Sequence, residues 1–277
     1  MGEQQKHRGA DAHGQHFRRS GPSTVTGSRG WDGHEFTSAA GTRVHAAILG
    51  PVGAPEVVCV HGLGVSHRYF LPFAQALAPR HRVVAVDLPG FGRTPGPRRA
   101  LDIPGLSRAL ADWLHATGRW GAPLVANSVG CQIAVDLAVT ASEPTGPLVL
   151  NGLTVEAGNR GVLQKVAQLL LTAWSEHPRL VPIVIGDYLR CGPRRLWQTL
   201  RHALDDPVTH KLPGVSAPAV VVRGTRDRVS EYRWATLAAE LLPRGHLVEV
   251  PGEGHALNYS APRVLARITE DLLTGGR

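Results

Sequence analysis

A chain of 277 residues, 43% of them hydrophobic, is long enough to bury one sizeable core carrying an inserted unit. No stretch approaches the roughly 18 uncharged apolar residues of a membrane helix, and the basic N-terminus MGEQQKHRGADAHGQHFRRSG has no apolar segment behind it, so neither a membrane partner nor export is expected. The net charge of +8 comes mostly from scattered arginines, and the pairs Arg18-Arg19, Arg98-Arg99 and Arg194-Arg195 lack aromatic interleaving or a helix-turn-helix signature, which argues against a nucleic-acid partner.

Residues 1–33 are rich in Gly, Ser, His and Arg with almost no aliphatic side chains, and are expected to form a disordered tail. HEFTS and TRVHAAIL then read as two short strands around a glycine turn, an antiparallel hairpin. Strands follow at 57–61 (VVCVH), 83–87 (VVAVD), 123–127 (PLVAN) and 147–151 (PLVLN), with helices at 69–78 and 101–117 and another opening at Val129. From 153 to 212 the alternation stops, and VLQKVAQLLLTAW, LVPIVIGDYL and RRLWQTLRHAL show helical spacing instead. It resumes with the strand AVVVRG (219–224), a helix over 231–242, the strand HLVEV (246–250) and a last helix from 261. The expectation is an α/β fold: a mostly parallel eight-stranded sheet, helices on both faces, a core of residues 34–152 and 213–277, and residues 153–212 as a helical lid.

Three cysteines, Cys59, Cys131 and Cys191, are an odd number without metal-ligand spacing, which suits a reducing compartment; the cytoplasm is the expected location. The chemistry centres on Ser128, in Ala126-Asn127-Ser128-Val129-Gly130, directly after a buried strand and before a helix. A sharp strand-to-helix turn demands small residues two positions either side of its apex, and Ala126 and Gly130 meet that demand. The pentapeptide alone fits a buried structural serine better than a nucleophile. A serine hydroxyl needs a base, and the base a carboxylate to orient it. Gly224-Thr225-Arg226-Asp227 follows the strand AVVVR, and Gly252-Glu253-Gly254-His255 follows HLVEV, so Asp227 and His255 both fall where sheet loops converge. His115 and His202 fall inside predicted helices, and His210 and His246 lack this loop placement. An oxyanion hole needs two aimed backbone N–H groups. Leu63, in His61-Gly62-Leu63-Gly64 after the first parallel strand, and Val129, next after Ser128, are the candidates, with His61 a structural group in the turn.

The series HGLG, DLPGFGRT (87–94), ANSVG, GTRDRV and GEGHALNYSAP (252–262) resembles the α/β-hydrolase superfamily, in particular its small lidded esterase-like serine hydrolases, over residues 35–275. The resemblance implies Ser128 as nucleophile, Asp227 as acid, His255 as base, and Leu63 with Val129 as oxyanion donors. Ala126 replaces a more frequent Gly, and Cys131 stands where a second Gly is frequent; neither change removes a catalytic group. Relatives that cleave carbon–halogen bonds or open epoxides have Asp at the elbow, and those that hydrolyse carbon–carbon bonds often have Trp where this chain has Ala256. Asn151-Gly152, after the strand before the lid, supplies no alternative carboxylate.

The expected activity is hydrolysis of an ester or related acyl bond of a small, moderately hydrophobic substrate through an acyl-enzyme, with no cofactor and no metal. Leu169, Leu170, Val184, Trp174 and Trp197 are available to face the crevice, with Trp174 and Trp197 the candidate substrate contacts; packing of the lid onto the body accounts for each equally well. A perhydrolase, a lyase, a cofactor-free oxygenase or a carbon–carbon hydrolase on the same triad is the enzymatic alternative, and a non-catalytic small-molecule receptor the other. Oligomeric state is not legible in the sequence.

Overall fold

The central strands are short and apolar throughout because helices cover both of their faces. The computed structural model describes residues 30–154 and 177–275. Strands β1 (Gly33–Ala39), β2 (Thr42–Leu49), β3 (Glu56–Val60), β4 (Arg82–Asp87), β5 (Leu124–Asn127), β6 (Leu148–Asn151), β7 (Ala219–Gly224) and β8 (Gly245–Val250) form one sheet of eight in the order β1-β2-β4-β3-β5-β6-β7-β8. β1 with β2 and β2 with β4 pair antiparallel; every other pair is parallel. The order reverses around β3, which places the loops after β3 and β5 side by side at the carboxyl ends of the strands, where open α/β sheets hold ligands.

The period of two along each strand divides the core. Val58, Val60, Val84 and Val86 face helices α2 (Ile103–Ala116) and α3 (Val129–Thr140), together with α7 (Tyr232–Leu241). Val57, Cys59, Val83 and Ala85 face α1 (Leu71–Leu77), α8 (Leu257–Ser260) and α9 (Pro262–Leu273). Asp102 caps α2 by accepting from Gly105 N–H at 2.8 Å, and the helix buries Trp113 completely. Removing such a side chain costs about 3–5 kcal/mol.

Between β6 and β7 lie α4 (Val181–Cys191), α5 (Pro193–Asp205), α6 (Val208–Lys211) and a 3-10 turn at Leu212–Gly214. α5 buries a stripe of Leu196, Thr199, Leu200 and Ala203 at helical spacing, which leaves Trp197 on its flank, 50% exposed. The helix is tied to the body where Gln198 Oε1 accepts from Ala100 N–H at 3.0 Å and where Gln132 Nε2 donates to the Ala203 carbonyl at 3.1 Å. At the start of the body, Trp31 meets the His67 ring edge-on at 5.9 Å and Asp32 accepts from Gly50 N–H at 2.9 Å, so packing begins ahead of the boundary at 33 expected from composition. Leu169, Leu170 and Trp174, and most of the expected N-terminal tail, lie outside the described residues. Among the described residues, no helix is long and apolar enough to cross a membrane.

Candidate active site

Ser128 sits between β5 and α3 with φ 59° and ψ −124°; among the described non-glycine residues it shares a positive φ only with Ala40, in the β1–β2 turn. Such backbone is costly for an L-residue and persists only where its surroundings fix it. Three contacts do so. Ser128 N–H donates to the Asn151 carbonyl at 3.0 Å, Ala126 is fully buried, and α3 is drawn so close to the end of β3 that a Cβ on Gly130 would lie 2.5 Å from the Val60 carbonyl oxygen. Gly130 is therefore required by backbone proximity.

His255 and Asp227 meet as the loop positions predict. Asp227 Oδ2 lies 2.8 Å from His255 Nδ1, while its Oδ1 accepts from the N–H groups of Val229 at 2.8 Å and Ser230 at 3.0 Å. Burial alone would push the Asp227 carboxyl up, but the His255 charge and hydrogen bond, with the two backbone donors, hold it below the usual carboxylate range. A carboxylate only accepts, so Nδ1 carries a proton, and in the neutral ring Nε2 keeps the lone pair. Arg223 braces this turn, donating to the Ser230 carbonyl at 3.0 Å and pairing with Glu249. Gly152, at φ 62°, comes so close to His255 that a Cβ would lie 2.8 Å from the ring.

One side chain joins these loops. Asn127 Nδ2 donates to the carbonyls of Asn151 at 3.1 Å and His255 at 3.2 Å, and Asn127 Oδ1 accepts from Tyr69 OH at 3.0 Å. Tyr69 OH in turn accepts from Gly62 N–H at 2.9 Å. A Cβ on Gly62 would lie 3.1 Å from Ser128 Cβ, so the 61–64 segment lies against the serine turn. Gly62 N–H is taken by Tyr69, which leaves Leu63 as the next donor along, and Val129 opens α3, where N–H groups have no partner within the helix. His61 accepts from Leu88 N–H through Nε2 at 3.0 Å and donates from Nδ1 to the Gly62 carbonyl; burial lowers its pKa, and the neutral ring is a strut between β3 and the segment after β4.

Over the 61–66 segment stand α4 and α5. A Cβ on Gly64 would strike Leu196 and the Tyr188 ring, and Asp187, buried in α4, accepts from Ser66 Oγ at 2.7 Å and from Arg68 Nη1 at 2.9 Å. Leu196 and Tyr188 thus meet the 61–66 segment, while Trp197 lies off the stripe that faces the body. Tyr69, Asn127 and Asp187 were missed in the sequence. The signal for Asp187 was a lone carboxylate in the otherwise apolar LVPIVIGDYL; Tyr69 and Asn127 gave none. A shallow cleft beside these helices is lined by Gly90, Gly92, Arg93, Arg190 and Arg195. Cys59 and Cys131 are fully buried, and burial pushes both thiols well up; Cys131 Sγ donates to the carbonyls of Ala126 at 3.3 Å and Asn151 at 3.4 Å beneath the serine turn, and Cys191 lines the cleft.

A second polar cluster lies at the other edge of the sheet. Asp87, wholly buried at the end of β4, accepts from His45 Nδ1 at 2.8 Å, from His67 Nδ1 at 3.0 Å, and from the N–H groups of His67 and Arg93. His34 Nδ1 lies 3.0 Å from His45 Nε2. The sequence pattern offers no metal-ligand spacing, yet these three histidines bring a nitrogen each within 4.8 Å of one another.

The chain matches the model of the alpha/beta hydrolase family over residues 57–268, and it belongs to that family. Among curated relatives it is 26% identical to a putative carbamate hydrolase, RutD, of Klebsiella pneumoniae, over 80% of this chain and 92% of the relative. It is 24% identical to a pimeloyl-[acyl-carrier protein] methyl ester esterase of Neisseria meningitidis, over 82% of this chain and 95% of the relative. It also matches a polyketide synthase of Burkholderia thailandensis, ThaQ, at 27% identity over 82% of this chain, spanning 12% of that much longer protein. A solved esterase from Thermogutta terrifontis superposes with a TM-score of 0.74 at 17% identity, covering 88% of this chain and 98% of its own, which is a likeness of fold. The protein is a hydrolase of this family.

Proposed function

We propose that the protein is a serine hydrolase that cleaves an ester or related acyl bond through an acyl-enzyme. The observation that carries the reading is the Asp227–His255 contact of 2.8 Å, held by Asn127 to the strained turn that presents Ser128. Ser128 Oγ attacks the acyl carbonyl as His255 Nε2 takes its proton, and Asp227 keeps the imidazole in the tautomer that can do so. The N–H groups of Leu63 and Val129 receive the oxygen as it gains charge. His255 then returns the proton to the leaving group and activates the water that releases the acid. The relatives named for carbamate and methyl ester hydrolysis support acyl chemistry of this kind. α4 and α5, over the 61–66 segment, act as a lid, with Leu196 and Tyr188 offering apolar and aromatic surface to a small substrate.

One observation favours a narrower substrate class. Arg93, Arg190 and Arg195 line the cleft beside the lid helices, and an ester long enough to carry an anionic group from Ser128 to this cleft would be favoured. Turnover of a monomethyl dicarboxylate set against a neutral methyl ester of equal length, in wild type and Arg190→Gln, tests this; equal preference in both proteins removes the anionic class.

The primary test is labelling by a fluorophosphonate and turnover of short nitrophenyl esters, with Ser128→Ala alongside. Both are expected to vanish in the variant, and the adduct to map to Ser128. A folded wild-type protein that neither labels nor turns over would leave the receptor reading in its place.

A further inference from the structure

We propose that His34, His45 and His67 form a binding site for one transition-metal ion of the zinc class, distinct from the Ser128 site. Imidazole suits zinc, cobalt, nickel and copper. The case rests on three features of the cluster.

The first is its supporting shell. A single buried carboxylate, Asp87, accepts from Nδ1 of both His45 and His67, at 2.8 and 3.0 Å. Because a carboxylate cannot donate, each ring presents Nδ1–H to Asp87, and in the neutral form of each ring Nε2 then holds the lone pair a metal requires. A carboxylate behind a histidine ligand is the usual outer shell of a zinc site, fixing tautomer and ring orientation together. Here one carboxylate does this for two rings, and it is itself fixed by the N–H groups of His67 and Arg93.

The second is distance. His34 Nδ1 and His45 Nε2 are 3.0 Å apart, and the three donor nitrogens lie within 4.8 Å of one another. Two ligands at about 2.0–2.1 Å in tetrahedral array stand about 3.3 Å apart. His34, the exposed member on the edge strand, already stacks on the His45 ring at 5.1 Å and meets the His67 ring edge-on at 5.8 Å, so the three rings pack together without an ion. Three protein ligands with one side open to solvent leave a fourth position for water or an anion.

The third is that the sheet register builds the cluster. His45 lies directly opposite Asp87 in the β2–β4 pairing and opposite Phe36 in the β1–β2 pairing, which puts His34, two residues earlier, on the same face. β4 and β3 stand between this edge and β5, which leads to Ser128. His67 opens the 3-10 turn His67–Phe70 that follows the 61–66 segment, so a bound ion would pin the β1–β2 hairpin to that segment.

The test uses the full chain, stripped with a chelator and titrated with Co2+, whose visible absorption reports imidazole coordination. One saturable equivalent is expected, displaced by Zn2+, with a Zn2+-dependent rise in Tm. His34→Gln, an exposed edge-strand change, and His67→Gln are each expected to weaken Co2+ binding by about 100-fold or more. Ester turnover of metal-free His34→Gln should match that of wild type. Absence of saturable Co2+ uptake by folded wild-type protein overturns the proposal. So does uptake undiminished in His34→Gln, the result if the metal sat instead on His7, His13 and His16 near the N-terminus. Should His67→Gln fail to fold, the His34→Gln titration decides alone.

Discussion

Among the described residues, two buried aspartate–histidine clusters look alike at their core and differ in everything around it. Asp227 and Asp87 both stand at or just beyond the carboxyl end of a parallel strand, both accept from an imidazole Nδ1 at 2.8 Å, and both are held below the usual carboxylate range. Around Asp227 there is one ring, closely covered by Gly152 and tied through Asn127 to a strained serine. Around Asp87 there are two rings, and a third histidine lies against both of them. An aspartate–histidine pair is thus a device for fixing a tautomer. What the pair then does depends on what the far nitrogen of the ring is given to face.

The sharpest way to break the comparison is to neutralise each carboxylate in turn. On the proposed mechanism Asp227→Asn lets the ring adopt the wrong tautomer, and kcat on a nitrophenyl ester should fall by about 10⁴-fold while the fold survives, as judged by circular dichroism. Asp87→Ala should do the reverse. It strands two buried imidazoles and two backbone donors, and is expected to cost about 3–5 kcal/mol in urea unfolding, with kcat of the remaining folded protein changed far less.

Acid sharpens the same contrast. Burial works to raise the Asp87 pKa, but hydrogen bonds from His45 and His67 and the nearby imidazole charges outweigh it, so the folded value lies below the unfolded one. A depressed carboxyl contributes stability that is complete above its unfolded pKa of about 4 and is lost as pH falls toward the folded value. Urea midpoints from pH 6 to pH 2 should therefore fall less steeply for Asp87→Asn than for wild type. The smallest effect concerns the link between the loops. Tyr69→Phe removes the acceptor for Gly62 N–H and the donor to Asn127, and should lower kcat by about 10-fold with little change in KM, since a lost buried hydrogen bond is worth about 1–3 kcal/mol.

The contrast also shows what a sequence can disclose. Asp227 and His255 were legible because each is a polar residue in a glycine-flanked loop after an apolar strand, and the order of strands alone brings those loops together. The hairpin, the eight strands and helices α2, α5 and α7 were legible for the same reason: period and turn chemistry are local. Asp87 was visible only as part of DLPGFGRT, and His34, His45 and His67 were three histidines among 14. Their meeting depends on the register of β1 on β2 and of β2 on β4, and register is a property of pairs of strands. The orientation of α5 was illegible for a related reason. The apolar spacing located α5, but which side of the helix meets the body was fixed by Leu196 against Gly64 and Gln198 against Ala100, contacts with distant segments.

Asn127 carries a consequence of its own. Its amide presents nitrogen to two carbonyl oxygens and oxygen to a hydroxyl, so it can tell itself from aspartate, its nearest isostere, by the replacement of a single heavy atom. Exchanging that NH2 for a second oxygen would set a negative charge against the carbonyls of Asn151 and His255 and undo both contacts at once. On the proposed mechanism, hydrolysis of this one amide would loosen the joint between the Ser128 turn and the His255 loop while leaving Ser128, Asp227 and His255 themselves unchanged.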